Sequence, residues 1–395
     1  MIEGWEQVTI ASLAEVARGG SPRPIKKFIT DRPDGINWIK IGDTEKGGRY
    51  IDSTSEKIIP EGLSKSRWVE DGDFLLSNSM SFGRPYILRT SGCVHDGWLV
   101  LKPDYSRIDQ AYLYFVLSSP QVFSQFDSRA AGSTVRNLNI ELVSGVTIPL
   151  PPLDEQKRIV AVLDQAFAAL DRARANAEAN LFDARNLMET AKEAVLQEAE
   201  SSGGAVHLAD VASIDSMLVD PRLQQFIDMP HLGAGNMISG SDALVDIQTA
   251  KEEGLKSGKF LFDERMILYS KIRPYLRKAA RPDFRGLCSA DVYPLLPSPE
   301  MDRNFLFHIL LANRFTAYAI SGSDRAGMPK VNRDHLFRYE FKLPGLDVQR
   351  AAVKKIDSIM AQAARLEAEF VIKLEDIAAL RQSLLQQAFS GQLTS

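Results

Sequence analysis

The chain has 395 residues, 45% hydrophobic and 25% charged, with a formal net charge of −4, which fits two or three globular domains with cores of their own. No apolar run approaches the roughly 20 residues of a membrane span, and the start, Met1 to Glu6, lacks the basic-then-apolar order of a secretion signal. Two cysteines, Cys93 and Cys288, are too few for a disulfide scaffold, so a reducing cytoplasm is the expected location.

In chain order, the alternation Val8-x-Ile10-x-x-Leu13-x-x-Val16 predicts opening strands. A strand and turn follow over Trp38 to Gly47, then a strand with a polar exit, Asp73-Phe-Leu-Leu-Ser77, and then Arg84-Pro85-Tyr86. A helix is expected near 109–126, followed by the loop Gly132-Ser-Thr-Val-Arg136-Asn137 and a short apolar strand through Pro149. A long Ala/Leu-rich helix is predicted over 154–200.

The second half repeats this series. It opens with Val206-x-Leu208-x-x-Val211-x-x-Ile214, and Gly235 and Gly240 stand 193 residues after Gly42 and Gly47 (235 − 42 and 240 − 47). Met266-Ile-Leu-Tyr-Ser270 answers the first polar-exit strand. Arg273-Pro274-Tyr275 follows Arg84-Pro85-Tyr86 by 189, which places four extra residues in the first copy's preceding loop. A helix is expected near 302–320, and Gly327-Met-Pro-Lys330-Val-Asn332 answers Gly132 to Asn137 at 195 (327 − 132). The cysteines are also 195 apart, read as one buried position seen twice. Periods near 195 mean duplicated domains and not a solenoid.

The helices predict a coiled coil. Ile356, Ala363, Phe370, Ile377 and Leu384 recur every seven residues in the second, with Ile359, Leu366 and Leu380 as the other apolar position. In the first helix the stripe is Leu163, Leu170, Ala177, Ala184 and Ala191, with Ala166, Ala173 and Leu187. Asn180 and Lys373 interrupt the stripes, read chiefly as setting register. A rod of about 45 residues spans roughly 65–70 Å. Val195 to Ala199 matches Leu384 to Ala388 at 189, so the first helix is expected to be about one turn longer.

The fold expected is therefore two tandem mixed α/β (α+β) units, 1–153 and 201–346. Two long helices, 154–200 and 347–395, separate them and form an antiparallel coiled coil with pseudo-two-fold symmetry. The first helical stretch carries 6 basic and 10 acidic residues, against 17 and 18 in 1–153 and 18 and 17 in 201–346. The globular units are near neutral, and the acidic helix face is better suited to a protein partner than to DNA.

With these elements in place, the sequence resembles the specificity subunit of type I restriction–modification systems. The resemblance lies in Ile148-Pro-Leu-Pro-Pro-Leu-Asp-Glu-Gln-Lys-Arg-Ile159 at the first helix entry, in Leu380 to Leu393 at the end, and in Met266-Ile-Leu-Tyr-Ser-Lys-Ile-Arg-Pro-Tyr-Leu-Arg-Lys278. The second helix entry, Leu343-Pro-Gly-Leu-Asp-Val-Gln349, departs by lacking the double proline and the Glu-Gln pair. The resemblance implies two target-recognition domains reading the halves of a bipartite DNA site, and helices that dock two methyltransferase subunits. It also implies restriction subunits as partners, with S-adenosylmethionine, ATP and Mg on the partners and no cofactor on this chain.

The motifs agree by omission. There is no Asn/Asp-Pro-Pro-aromatic motif for adenine methylation and no phosphate loop, since Gly258-Lys259-Phe260 fails at its last residue. Glu155-Gln-Lys157 lies at a helix start without an acidic partner, and five scattered histidines with two distant cysteines make no standard zinc site. A non-catalytic subunit is expected. The alternative is a coiled-coil scaffold that does not read DNA.

For DNA contact the densest basic tract contributes Lys271, Arg273, Arg277 and Lys278, with Arg265, Arg281 and Arg285 beside them. Arg and Lys supply most phosphate contacts and Arg reads guanine edges; a solvated strand and turn is the other reading. In the first unit the candidates are Lys26, Lys27, Asn78, Ser79, Ser81 and Arg84. Arg136, Asn137, Lys330, Asn332 and Arg333 lie in the repeated loops, as base or phosphate contacts or as parts of a structural turn. Asn137 and Asn332, aligned at one repeat position, are also potential helix caps.

Overall fold

The computed structural model describes residues 4–45, 47–78, 82–130, 137–323 and 329–393. They form two compact units, the first made of 1–178 with 372–395 and the second of 179–371.

In the first unit, Glu6–Thr9 pairs antiparallel with Thr147–Leu150, the strand that leads into the first long helix, Leu153–Glu200. Ala14–Arg18, Trp98–Pro103, Phe74–Ser77, Pro85–Leu88 and Tyr50–Ile51 make a five-stranded sheet in that order. A second sheet orders Glu56–Ile58, Ile36–Ile39, Gly92–Val94 and Arg67–Val69. One face of the larger sheet packs with Ile39, Val69 and Val94. The other, through Phe74, Leu76, Leu99 and Leu101, packs on helices Gln110–Leu117 and Pro120–Ala130.

The second unit repeats this plan. Gly204–His207 pairs with Glu340–Leu343, the strand before the second long helix, Leu346–Phe389. Ala212–Ser213, Val292–Pro297, Ile267–Ser270 and Ala279–Ala280 keep the order of their first-unit counterparts. Helices Arg303–Leu310 and Asn313–Ser321 take the place of the first unit's pair. The single helix expected near 109–126 and its counterpart near 302–320 are thus each two helices. The first break falls at Ser118-Ser119 before Pro120, which is suited to a first helical turn.

Hydrogen-bond register corrects the alignment read from sequence. Gly92 lies opposite Val69 and Gly286 opposite Phe262, and a Cβ on either glycine would meet the carbonyl oxygen of Asn37 at 2.5 Å or Pro230 at 2.6 Å. The glycines are therefore equivalent, at 194, and Cys93 corresponds to Leu287. Cys93 packs with Trp38 and Ile58 on one face, whereas Cys288 joins Leu232 and Phe262 on the other. The cysteines are both buried, but they occupy neighbouring positions whose side chains alternate in direction.

Each long helix runs antiparallel to the other within each unit. In the first unit Asp171 pairs with Arg381 at 2.6 Å, and Ile159 and Leu163 share a core with Leu385 and Ala388. In the second, Arg185 pairs with Glu367 at 3.1 Å and Glu198 with Lys355 at 2.9 Å. The first helix has 48 residues and the second 44, the one-turn difference expected. Leu163, Ala177, Ile356 and Ala363 are buried as the heptads predict. Leu187, Leu366 and Leu380 are not: Leu187 is 70% exposed. With small alanines at many facing positions, the apolar seam narrows and these larger residues point outward. Asn180 and Lys373 are exposed as well.

The two helix entries share a clasp that the departure at Val348 conceals. The Gln156 amide, fully buried, donates to the carbonyls of Pro151 at 2.8 Å and Arg107 at 3.1 Å and accepts from the Asp109 N–H at 2.7 Å. Gln349, equally buried, donates to Pro344 at 2.8 Å and Glu300 at 2.9 Å and accepts from Asp302 at 2.7 Å. Every partner is displaced by 193 residues (349 − 156, 344 − 151, 302 − 109). The Glu-Gln pair is missing at the second entry, but the glutamine that does the holding is present.

Candidate nucleic-acid interface

In each unit a strand ends in a polar residue, loops out and returns beside a segment that enters a short capped helix. In the second unit Ser270 ends the strand, and its N–H bonds the Lys278 carbonyl at 2.9 Å across the loop 271–277. In the first unit Ser77 N–H bonds the Arg84 carbonyl at 3.0 Å across residues 78–83. Arg84 therefore corresponds to Lys278, not to Arg273, and the second loop is one residue longer, seven against six. The shared Arg-Pro-Tyr triplets are not equivalent: Pro85 and Tyr86 lie in the return strand, whereas Pro274–Leu276 form a turn within the loop.

The segment before each short helix lies against the loop's first residue. Val331 N–H bonds the Lys271 carbonyl at 2.8 Å, Arg273 N–H bonds that of Pro329 at 2.9 Å, and Ile272 bridges Lys330. In the first unit Leu138 N–H bonds the Asn78 carbonyl at 2.9 Å. Asn332 caps Arg333–Phe337 by accepting from His335 N–H at 2.7 Å. The matching cap in the first unit is Asn139, which accepts from Leu142 N–H at 2.8 Å and starts Ile140–Ser144. Asn137 is thus two residues from the cap position, and the repeat here runs at 193 (332 − 139), not 195. Lys330 is the structural counterpart of Asn137.

The predicted residues separate by their surroundings. Arg273 is exposed at a left-handed position, φ 48° and ψ 62°, with Tyr275 beside it 53% exposed. Lys330 and Lys271 flank the carboxylate of Asp291, at 3.2 and 3.5 Å, and Lys271 Nζ also reaches the Ala290 carbonyl at 2.6 Å. Arg333 is exposed over the Phe337 ring. The bridge at Ile272 brings Lys271 and Lys330 together on Asp291, with Arg273 and Arg333 on the two paired segments beside them.

Two other residues of the same tract turn inward. Arg277 donates to Glu189 of the long helix at 2.7 Å and to the Leu311 carbonyl, and Lys278 donates to the Ala234 carbonyl at 2.6 Å. In the first unit Arg84 is exposed, while Asn78 is buried with its amide on the Asp96 carbonyl at 3.0 Å. Asn137 is exposed. Lys26 and Lys27 are exposed on a turn, Ile25–Lys27, and Lys26 borders an open cavity of about 980 Å³ with Arg23, Lys40 and His95. Ser79, Ser81 and Arg136 lie outside the described residues.

Sequence reasoning missed Asp291, which holds two of the lysines, and Tyr275 at the loop tip. Tyr275 stood in the quoted basic tract, and an aromatic among cations was the available signal. Asp291 had none, because the pairing of 271 with 330 depends on the fold. Among the described residues no helix is long and apolar enough to cross a membrane, and no group of three or more His, Cys, Asp or Glu is arranged to hold a metal.

Residues 2–180 match the family model described as type I restriction modification DNA specificity domain. The chain is 27% identical to the type I restriction enzyme EcoDI specificity subunit of Escherichia coli, over 73% of this chain and 71% of that one. It is 22% identical to the StySPI specificity subunit of Salmonella potsdam, over 100% of this chain and 90% of the other. In fold it resembles a chain from a structure of a type I restriction–modification system, with a TM-score of 0.78 at 18% identity, covering 99% of both. It also resembles the HsdS subunit from Thermoanaerobacter tengcongensis, with a TM-score of 0.61 at 18% identity, covering 100% of this chain and 98% of that one. Duplicated sheet units, paired long helices and these matches agree: residues 2–180 match the type I restriction modification DNA specificity domain, and the chain as a whole is similar to type I restriction enzyme specificity subunits.

Proposed function

We propose that this chain selects the DNA sequence for a type I restriction–modification complex, with each unit reading one half of a bipartite site. The observation that carries this reading is the loop-and-capped-helix arrangement, built twice on one hydrogen-bond plan with different side chains. Exposed Asn137 in one unit answers exposed Lys330 in the other, and exposed Arg84 answers Lys278, which turns inward. A common scaffold with divergent polar side chains is what two different half-sites require, because side chains at base edges supply sequence discrimination.

Arg273, Lys330 and Arg333 are the proposed DNA contacts of the second unit, with Tyr275 packing beside the backbone. Arg84, Lys26 and Lys27 are those of the first. The long helices set the spacing between half-sites and dock methyltransferase subunits. Their exposed apolar residues in the second unit, Phe182 and Leu187 at 65% and 70% exposure, are the proposed contact. S-adenosylmethionine, ATP and Mg belong to the methyltransferase and restriction partners, and this chain performs no chemistry of its own.

The test is binding of a duplex carrying the methylated motif by the chain together with its methyltransferase, competed with unrelated DNA. Preferential retention of the motif is expected. Equal competition by both duplexes would instead favour a scaffold that does not read DNA.

A further inference from the structure

Arg277 closes the recognition loop of the second unit from the left-handed region, φ 48° and ψ 53°. Glycine adopts that conformation without the Cβ clash, so an arginine there carries backbone strain. Both ends of the residue are held. Its carbonyl accepts the N–H of Gly240, itself at φ +69°, at 2.9 Å. Its guanidinium donates to Glu189 Oε2 at 2.7 Å and to the Leu311 carbonyl. Glu189 also receives Lys192 Nζ at 3.0 Å, and the Lys192 side chain is buried. All these groups lie in one unit, and they connect the loop to the long helix.

We propose that Arg277 and Glu189 form a latch that positions the loop 271–277, so that Arg277 acts on recognition through Arg273 and does not itself touch DNA. This rests on the second unit reading DNA. The two arginines stand four positions apart in the sequence, yet their side chains have opposite surroundings. Arg273 is exposed, whereas Arg277 is partly buried against a carboxylate that neutralises it towards phosphate. A turn needing only left-handed geometry would be met by glycine, as at Gly240. Arg273 shares the left-handed geometry without such a partner, so what distinguishes 277 is its side chain, held by a carboxylate 88 residues away on the helix (277 − 189).

The test measures affinity of the full chain with its methyltransferase for a duplex bearing the methylated motif and for an unrelated duplex, across a salt series. Arg277→Gly and Glu189→Ala are each expected to reduce the ratio of specific to unrelated binding by about tenfold with an unchanged salt slope. The double variant should be no weaker than either alone, the signature of one shared interaction. Glu189→Gln keeps the side chain's size but offers one acceptor oxygen where Arg277 and Lys192 now use one each, so it should lower the ratio by less than Glu189→Ala while co-purification of the methyltransferase is retained, which separates loss of the latch from loss of folding. A fall in salt slope of about 0.9 with Arg277→Gly, together with tighter binding by Glu189→Ala, would make Arg277 a phosphate contact and overturn the latch. Additive losses in the double variant would overturn it too. A parent chain that binds both duplexes alike would overturn DNA reading itself, and the latch with it.

Discussion

Arg273 and His308 are opposite cases of a charged or chargeable group in the second unit. Arg273 stands at an exposed turn, free to meet a phosphate or a guanine edge. Arg273→Ala should lower the salt slope of DNA binding by about 0.9, the release expected for one lost phosphate contact. A slope equal to that of the parent would remove Arg273 from the interface. His308 is buried with neither ring nitrogen hydrogen-bonded. Burial, with the positive charges of Arg281 and Lys192 nearby, pushes its pKa down to about 3 against the opposing pull of Asp242. Asp357 lies 3.7 Å away but is largely in solvent, so burial decides the direction. Because the unfolded state titrates near the ordinary value of 6.5, it binds the proton first. Stability is therefore full above about pH 6.5 and falls towards pH 3, by up to about 1.4 kcal/mol per pH unit. Acid unfolding of His308→Gln should start at lower pH than that of the parent; coincident curves would show that His308 is not the group responsible.

Between elements, the glutamine clasp ties the start of each long helix to its unit. Gln349→Glu replaces a donor to two carbonyls with a carboxylate that repels them, and it leaves buried polar groups unpaired at about 1–3 kcal/mol each. A lower melting temperature is expected, with Gln156→Glu behaving alike; unchanged melting would mean that the clasp is not a stabilising contact. The helix surface makes the contrary case. Phe182→Glu with Leu187→Glu should leave the melting temperature within a few degrees, because neither residue is in a core, but should abolish co-purification of the methyltransferase. Retained co-purification would place docking elsewhere.

These elements differ in how legible they were. Heptads and alternating strands announced both helices and the sheet edges, because burial imposes a period on residues such as Leu163 and Ile356. The slips of one residue at Cys93, two at Asn137 and five at Arg84 went unseen, because chance identities in Gly- and Pro-rich loops outweighed the hydrogen-bond register. That register is fixed by contacts far apart in sequence, such as Gly92 with Asn37 and Val331 with Lys271. The basic tract was likewise legible as a tract, but its division into outward Arg273 and inward Arg277 required the fold.

Across the whole chain, two units on one plan and a pair of long helices make a single functional claim: two sequences are read at a fixed separation. A further turn in the first helix adds about 5.4 Å of length, somewhat more than one base-pair step of duplex DNA. Lengthening it should therefore change the spacer and leave the half-sites alone. The most direct measurement is genome-wide mapping of methylated adenines in cells carrying the methyltransferase with either the parent chain or a variant lengthened by one turn within 154–200. A bipartite motif with a constant spacer is expected for the parent, and the same two halves with an altered spacer for the variant. An identical spacer in both, or methylation that does not depend on this chain, would contradict the reading of two sequences at a fixed separation.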